Sequence, residues 1–236
     1  MLLARLQKAT VRCKIQGIGV VTMNPEILYQ DKHIAVVVKP AGVMSESPGM
    51  PELLRDSLGG QFFCVHRLDA GVGGVMVYAR SGQAAARLSA AVAQRELTKE
   101  YLAVVQGRPE QDRGVLRDLL FHDRGRNKTY VVDRMRKGVK EAELEYTVIG
   151  CVNDSSLLRI RLHTGRSHQI RVQFASRAMP LLGDARYGSK TRNCGIALWS
   201  ESLCFPHPFA EKTMDFRQAP PEVFPWTEFP ANFFAD

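Results

Sequence analysis

The sequence predicts a protein of the α+β class, with a central mixed, largely antiparallel sheet flanked by helices and loops. Runs of β-prone residues outnumber helical patterns along the chain. Most neighbouring runs are separated by turns short enough for hairpins, which favours antiparallel pairing over alternating strand-helix-strand units. With 236 residues and 45% hydrophobic content, the chain can bury a substantial core.

The first part of the chain carries clear strand and turn signals. Apolar and β-branched residues over 27–39 predict a β-hairpin. Residues 51–58 predict a short helix, because this run opens with Pro and is followed by two glycines. The β-prone runs 61–65 and 75–78 enclose a charged, Gly-rich loop, which strands on either side would hold on a rigid frame.

The middle of the chain predicts one longer helix and a protruding segment. Ser81 can cap a helix over 82–95, whose Ala, Leu and Val residues form an apolar face. A strand follows over 99–105. Residues 106–137 are rich in Gly, Pro and charge, and predict a mobile arm or a hairpin.

The C-terminal part predicts further antiparallel pairing and a second helix. Residues 141–151 and 156–162 alternate well enough to pair around the turn between them. Thr164 can cap a helix over roughly 166–177. Two more strands and a tail of short helix and coil follow, over 196–205, 212–217 and 220–236.

The N-terminal segment 1–23 contains basic side chains but no acid, a composition found in organellar transit peptides. The absence of serine and the weak apolar pattern favour instead a tail, or a start codon upstream of a natural beginning at Met23. We expect residues 1–24 to be a dispensable tail or strand, and residues 25–236 to form a single domain.

The charge distribution predicts a polyanionic partner. The formal net charge is +8, and between Arg159 and Arg192 lie eight basic residues and a single acid, Asp184. A second basic stretch covers residues 124–137. Such clustering is typical of nucleic-acid binding, and the alternative is a solvated basic face without a partner.

The cysteines and the hydropathy limit the class of protein further. The five cysteines are odd in number and widely spaced, without a C-x-x-C pair. This argues against a disulfide framework and a zinc site, and indicates a reducing compartment. No window approaches the ~18 consecutive apolar residues of a transmembrane helix.

Two polar stretches are the candidates for chemistry. In the first, His66, Arg67 and Asp69 lie between two β-prone runs, where a carboxylate beside an arginine is most often a structural ion pair. In the second, polar side chains crowd the start of the helix predicted after Thr164. On a helix, residues three and four positions before Arg171 share its face, and the helix dipole favours anions. The second stretch therefore predicts contact with phosphates or bases.

These stretches resemble the motifs of the RluA-type RNA pseudouridine synthases. His66-Arg67-Leu68-Asp69 is similar to the family's central motif, and the resemblance extends in the expected order over roughly residues 27–225. Further segments that resemble family motifs are Lys39-Pro40-Ala41-Gly42, Lys99-Glu100-Tyr101-Leu102, His163–Arg171, Gly183–Gly188 and Leu203–Pro208.

The resemblance implies the pseudouridine synthase fold and an isomerisation of uridine in RNA. Such enzymes break the N1 glycosidic bond, turn the base and rejoin it through C5, without a cofactor. By similarity Asp69 is the essential carboxylate, which attacks the sugar or base covalently or deprotonates the sugar. Arg171 would pair with Asp69, and Tyr101 would lie against the base as a candidate for removing the C5 proton.

The resemblance also implies base flipping and a set of RNA contacts. Arg67 would take the vacated place or contact the phosphate of the flipped nucleotide, with His66 nearby. Arg166 and His168 would contact the RNA backbone, and the full predicted set is His66, Arg67, Arg166, His168, Gln169 and Ile170, the last as part of the pocket wall. We expect a cytoplasmic monomer that acts on structured ribosomal or transfer RNA and has no membrane contact.

One departure and two alternatives accompany this interpretation. After Asp69 the family usually has a charged or polar pair and then Thr-Ser-Gly, whereas residues 70–74 are Ala-Gly-Val-Gly-Gly. The N-terminal region is too short for an S4-type RNA-binding domain, so residues 106–137 are the first candidate for RNA specificity. The alternatives are a catalytically inactive RNA-binding module and a small-molecule glycosidase, although most glycosidases need two reactive carboxylates.

Overall fold

The computed structural model describes residues 12–15, 18–22 and 25–234, with side chains from residue 25 onward. These residues form thirteen strands and three α-helices. The strands are β1 Arg12–Ile15, β2 Ile18–Thr22, β3 Glu26–Gln30, β4 Ile34–Lys39, β5 Phe63–Cys64, β6 Gly73–Ala79, β7 Thr98–Gln106, β8 Arg113–Asp123, β9 Lys128–Val132, β10 Val139–Val152, β11 Ser155–Leu162, β12 Leu198–Pro206 and β13 Thr213–Arg217. The helices are α1 Met50–Leu58, α2 Gly82–Ala93 and α3 Gln169–Ala175.

One large sheet organises the chain. Its strands follow the order β3-β4-β6-β12-β7-β11-β10-β8-β9, with β13 beside β12 and β5 beside β6. The pairing of β12 with β6 is parallel, and the other pairings of this sheet are antiparallel. The predicted α+β class with a mixed, largely antiparallel sheet is thus confirmed. In the N-terminal segment, β1 and β2 pair with each other in a separate two-stranded sheet, and position 23 lies outside the described residues.

The centre of the sheet is covered on both faces, so β4 and β6 are buried along their whole length. On one face, Ile34 and Val36 belong to an apolar cluster with Leu88 of α2. On the other face, the alternate residues Ala35 and Val37 belong to a cluster that includes residues of α1 and α3. Each fully buried Ile, Val or Leu side chain contributes about 1.5–3 kcal/mol, so these clusters hold the strand ends that carry the site.

The predicted helix after Thr164 is shorter than expected. The prediction placed it over 166–177 with a Thr164 cap, whereas α3 covers Gln169–Ala175. The Thr164 hydroxyl instead accepts a hydrogen bond from the Glu143 backbone N (2.8 Å) and donates to Gln169 Oε1 (2.8 Å). His168 takes the left-handed conformation (φ 54°), which starts the helix only at the next residue. Residues 167 and 168 therefore do not share a helical face with Arg171.

The other predicted elements are present with small shifts. Ser81 caps α2 by accepting a hydrogen bond from the Ala84 backbone N (3.2 Å). The segment 106–137 forms the hairpin β8–β9, and β8 extends the sheet by pairing with β10. The strand predicted over 61–65 is reduced to the two residues of β5. Among the described residues, none of the helices is long and apolar enough to span a membrane.

Candidate active site

Asp69 lies in the loop between β5 and β6, and hydrogen bonds pin the backbone on both sides of it. Before it, the Ser45 hydroxyl donates to the Leu68 carbonyl (2.8 Å) and accepts from the Leu68 backbone N (3.0 Å). After it, the Ala70 carbonyl accepts from the Gly42 backbone N (2.7 Å). The Asp69 side chain thus projects from a turn that the fold holds in place.

Lys39 ties the same loop to the segment that follows β4. Its buried ammonium donates to the carbonyls of Pro40 (2.9 Å), Val43 (2.6 Å) and Ala70 (3.2 Å), which matches its three N–H groups. Burial lowers the pKa of Lys39 to about 8, and the negative charge of Asp69 acts in the opposite direction. The Lys39-Pro40-Ala41-Gly42 motif is therefore a backbone support for Asp69.

Arg171 connects Asp69 to a second carboxylate. Its Nη1 donates to Asp69 Oδ2 (2.7 Å), while Nε and Nη2 donate to the two oxygens of Asp184 (2.7 and 2.9 Å). The Asp184 side chain is 1% exposed and that of Asp69 is 28% exposed. The bidentate bond fixes the plane of the guanidinium, so that its remaining nitrogen is aimed at Asp69. Sequence reasoning did not assign this role to Asp184, although its position as the single acid among eight basic residues was a signal.

Tyr101 and Ile170 contribute the apolar side of the site. Tyr101 on β7 is 5% exposed and Ile170 on α3 is 3% exposed, and both belong to the cluster that contains Leu68. Burial raises the pKa of the Tyr101 hydroxyl, and the charge of Asp69 raises it further, against a hydrogen bond with Ser200 that lowers it. Tyr101 is therefore a neutral phenol in the resting protein.

His168 precedes α3 and lies close to Asp69. Its Nε2 is 3.8 Å from Asp69 Oδ2, and its Nδ1 is 2.9 Å from the hydroxyl of Tyr187. Tyr187 is in turn bonded to the backbone of Thr129 in β9. A chain of polar groups therefore links the site to the β8–β9 hairpin, and sequence reasoning missed the part played by Tyr187.

His66 and Gln169 were predicted to bind substrate, and the structure places both inside the protein. His66 is 6% exposed, its Nε2 accepts from the Val77 backbone N (3.2 Å), and burial lowers its pKa well below the ordinary value. The Gln169 amide bonds to Thr164, to the Arg166 backbone N and to the Glu143 carbonyl. The Nε2 of His66 and the amide of Gln169 therefore support backbone inside the protein.

Arg67 and Arg166 lie on the rim of the site. The Arg67 side chain is 63% exposed and forms an ion pair with Glu46 (3.0 Å). Arg166 Nε donates to the Glu141 carbonyl (2.8 Å). An exposed ion pair contributes at most about 1 kcal/mol, so Arg67 can exchange its partner for a phosphate at little cost.

The sequence profile of the RNA pseudouridylate synthase family matches residues 33–176, more than half of the chain, including Asp69, Tyr101 and Arg171. The chain belongs to the RluA-type RNA pseudouridine synthases. This pseudouridine synthase is 36% identical to the dual-specificity RNA pseudouridine synthase RluA of Yersinia pestis over 204 residues, 81% of this chain and 97% of that protein. The ribosomal large subunit pseudouridine synthase D of Zymomonas mobilis is 32% identical over 228 residues, 84% of this chain and 69% of that protein.

A solved structure supports the fold independently. The human RNA pseudouridylate synthase domain containing 4 superposes on this pseudouridine synthase with a TM-score of 0.72 at 22% identity. The superposition covers 89% of this chain and 92% of the human chain. The pseudouridine synthase fold, which the resemblance of the motifs implied, is confirmed.

The Gly-rich departure after Asp69 has a packing reason. Gly73 is the first residue of β6 and pairs with Trp199 of β12. A Cβ at position 73 would lie 2.5 Å from the indole ring. A Cβ on Gly74, whose φ is 121°, would collide with the backbone of Ser200. A Ser side chain at position 73 therefore does not fit beside Trp199 unless the indole ring moves.

We expect Gly73→Ser to lower the free energy of unfolding by about 1–3 kcal/mol, because the added atoms overpack the β6–β12 crossing. Urea unfolding of the purified variant measures this loss. The control is the same substitution in a Trp199→Leu background, where the cost should shrink. An equal cost in both backgrounds would contradict the assignment of Trp199 as the obstacle.

Proposed function

We propose that this pseudouridine synthase isomerises specific uridines in structured ribosomal or transfer RNA, with the flipped base placed against Asp69. The observation that carries the proposal is the carboxylate of Asp69, which is partly exposed on a loop held by hydrogen bonds and accepts a bond from Arg171 (2.7 Å). The name of the Zymomonas relative refers to the large ribosomal subunit and supports a ribosomal substrate, and the name of the Yersinia relative states that it acts on RNA with dual specificity.

The chemistry proposed for the site balances without a cofactor. Asp69 attacks the sugar or the base, or deprotonates the sugar, and the N1–C1′ bond breaks. The base turns and C5 bonds to C1′; in the same sequence the bond to Asp69 breaks, or Asp69 returns the proton that it took from the sugar. C5 then loses its proton and N1 gains one, so the carboxylate is regenerated. Tyr101 is a neutral phenol, so it can accept the C5 proton only if it donates its hydroxyl proton at the same time. Over the whole reaction C5 loses one proton and N1 of the turned base gains one.

The rim and the β8–β9 hairpin provide a path for the RNA backbone. The ammonium of Lys128 lies 5.5 Å from the ring centre of Tyr130 and 5.4 Å from that of Tyr187. Arg186 donates to the carbonyls of Arg126 and Asn127 and so connects the hairpin turn to the segment Ala185–Tyr187. Lys128, Tyr130, Arg186 and Tyr187 line a cleft beside α3, and the hydroxyl of Tyr187 bonds to His168. We propose that the nucleotides flanking the target uridine bind in this cleft.

Lys128→Ala should weaken RNA binding a few-fold and reduce the slope of log affinity against log salt by about one, because one phosphate contact is lost. The maximal rate at saturating RNA should change little. Fluorescence anisotropy at several salt concentrations measures both effects. The matched control is Lys32→Ala, at the exposed turn next to β3 on the opposite edge of the sheet. If the two variants lose affinity equally, the proposed path is wrong.

The activity itself is tested in two steps. Purified protein should release tritium from C5-labelled uridine in RNA extracted from cells that lack the gene. Site-specific mapping of pseudouridine in cells with and without the gene should then show the loss of a defined position. No release from any cellular RNA, together with an unchanged map, would refute the proposal.

The domain organisation, the location and the oligomeric state are also part of the proposal. We propose that residues 25–236 act as a single catalytic domain, so that removal of residues 1–24 leaves the activity intact. We also propose that the protein works in the cytoplasm, and the four cysteines whose side chains are described are free thiols. Size-exclusion chromatography with light scattering is the measurement for the predicted monomer.

A further inference from the structure

We propose that His168, oriented by Tyr187, is a second positioning residue for Asp69, and that it acts with Arg171 to restrain Oδ2 and leave Oδ1 as the reacting oxygen. The proposal rests on the proposed function of Asp69 and goes beyond it in naming the oxygen and the group that selects it. His168 was expected only to contact the RNA backbone.

The side chains of Arg171 and His168 both approach one oxygen of Asp69. Arg171 Nη1 lies 2.7 Å and His168 Nε2 lies 3.8 Å from the same atom, Oδ2. Within the part of the chain that the structure describes, Oδ1 receives no hydrogen bond, although the carboxylate is 28% exposed. The two oxygens are therefore inequivalent before any substrate binds.

The contacts of His168 with Tyr187 and Asp69 together favour one position for its ring proton. The Tyr187 oxygen accepts from the Thr129 backbone N (2.8 Å), and its own proton can go to His168 Nδ1 (2.9 Å) or to the Thr129 carbonyl (3.2 Å). Donation to Nδ1 leaves the proton of the imidazole on Nε2, directed at Asp69. The other tautomer would turn a lone pair toward the carboxylate, which is repulsive. We therefore assign the Nε2–H tautomer.

The surroundings keep the ring neutral and in place. Burial lowers the pKa of His168, opposed by the charge of Asp69, while Arg171, His122 and Arg186 lower it further. The rings of His122 and Tyr187 pack edge-on against it, with centroids 5.9 and 5.7 Å away. The separation of 3.8 Å from Asp69 exceeds a hydrogen bond. Catalytic hydrogen bonds are often long without substrate, so we expect this contact to shorten when RNA binds.

Histidine NMR tests the tautomer in the resting protein, without RNA. The protein is labelled with ¹⁵N-histidine, and the His168 signals are assigned by their loss in His168→Gln. We expect a neutral ring with the proton on Nε2 at neutral pH. A proton on Nδ1, or on both nitrogens, would overturn the proposal. Because no activity is needed, this result is independent of whether the proposed function holds.

Kinetics test the positioning role. His168→Met keeps the size of the side chain but removes the donor, and should lower kcat about tenfold with KM changed less than twofold, since only the geometry of Asp69 changes. His168→Gln retains an N–H donor and should recover most of the rate. Tyr187→Phe should lower kcat a few-fold in the wild-type background and have no further effect on His168→Met.

The control for a lost tyrosine hydroxyl is Tyr146→Phe. The Tyr146 hydroxyl donates to the exposed Gln111 carbonyl (3.3 Å), and the variant should retain full activity. Urea unfolding checks that each variant is folded. Equal losses in His168→Met and His168→Gln, or additive effects of the Tyr187 and His168 substitutions, would indicate simple packing and would overturn the positioning role.

Discussion

Replacing Asp69 with Asn should abolish pseudouridine formation while the RNA still binds. The amide is nearly isosteric with the carboxylate and can still accept a hydrogen bond from Arg171, so the loop and its supports from Ser45 and Lys39 should stay in place. The amide lacks the charge and basicity that either proposed role of Asp69 requires. The loss of one such group costs about 10²–10⁴-fold in rate, and more where it is the nucleophile.

Tritium release from C5-labelled uridine measures the rate of Asp69→Asn, and anisotropy measures its affinity for RNA. Asp215→Asn, on the exposed face of β13, is the matched control and should react as the wild type does. Pseudouridine formed at the normal rate by Asp69→Asn would remove this residue from the mechanism. Loss of binding alone, with a normal rate at saturating RNA, would make it a binding residue instead.

Replacing Arg171 with Met should cause the largest combined loss of stability and activity. The substitution leaves Asp184, which is 1% exposed, as a buried charge without its bidentate partner. Breaking a buried pair in this way costs about 3–5 kcal/mol. Asp69 at the same time loses the donor that holds Oδ2. Arg171→Lys keeps a charge, but its single ammonium cannot reproduce the three directed bonds, so we expect an intermediate loss.

A double substitution separates the two effects. In Arg171→Met with Asp184→Leu, no buried charge is left unpaired, so most of the free energy of unfolding should return. The activity should not return, because Asp69 still lacks its donor. Urea unfolding and tritium release measure the two quantities on the same preparations. If both stability and activity recover, Arg171 has only a structural role. If neither recovers, the loss of stability comes from the packing of the arginine side chain and not from the unpaired charge of Asp184.

The start of the helix predicted over 166–177 was wrong, because contacts with a distant strand decide where this helix begins. Thr164 is a good capping residue, but its hydroxyl and the side chain of Gln169 bond to the backbone of Glu143 on β10. These contacts join segments more than twenty positions apart, and no local pattern contains them. They delay the start of α3 and turn His168 toward Asp69 instead of along a helical face.

The sequence by itself determined the sheet class, most hairpins and the family, because the alternation of apolar residues and the short motifs around Asp69 and Arg171 are local properties of the chain. Only the tertiary structure decided how the site is held. Asp69 and Arg171 are 102 positions apart, and the supports from Lys39, Asp184 and Tyr187 come from different elements. Periodicity reports which side chains are buried, whereas the partner of a buried charge depends on which segments the fold brings together.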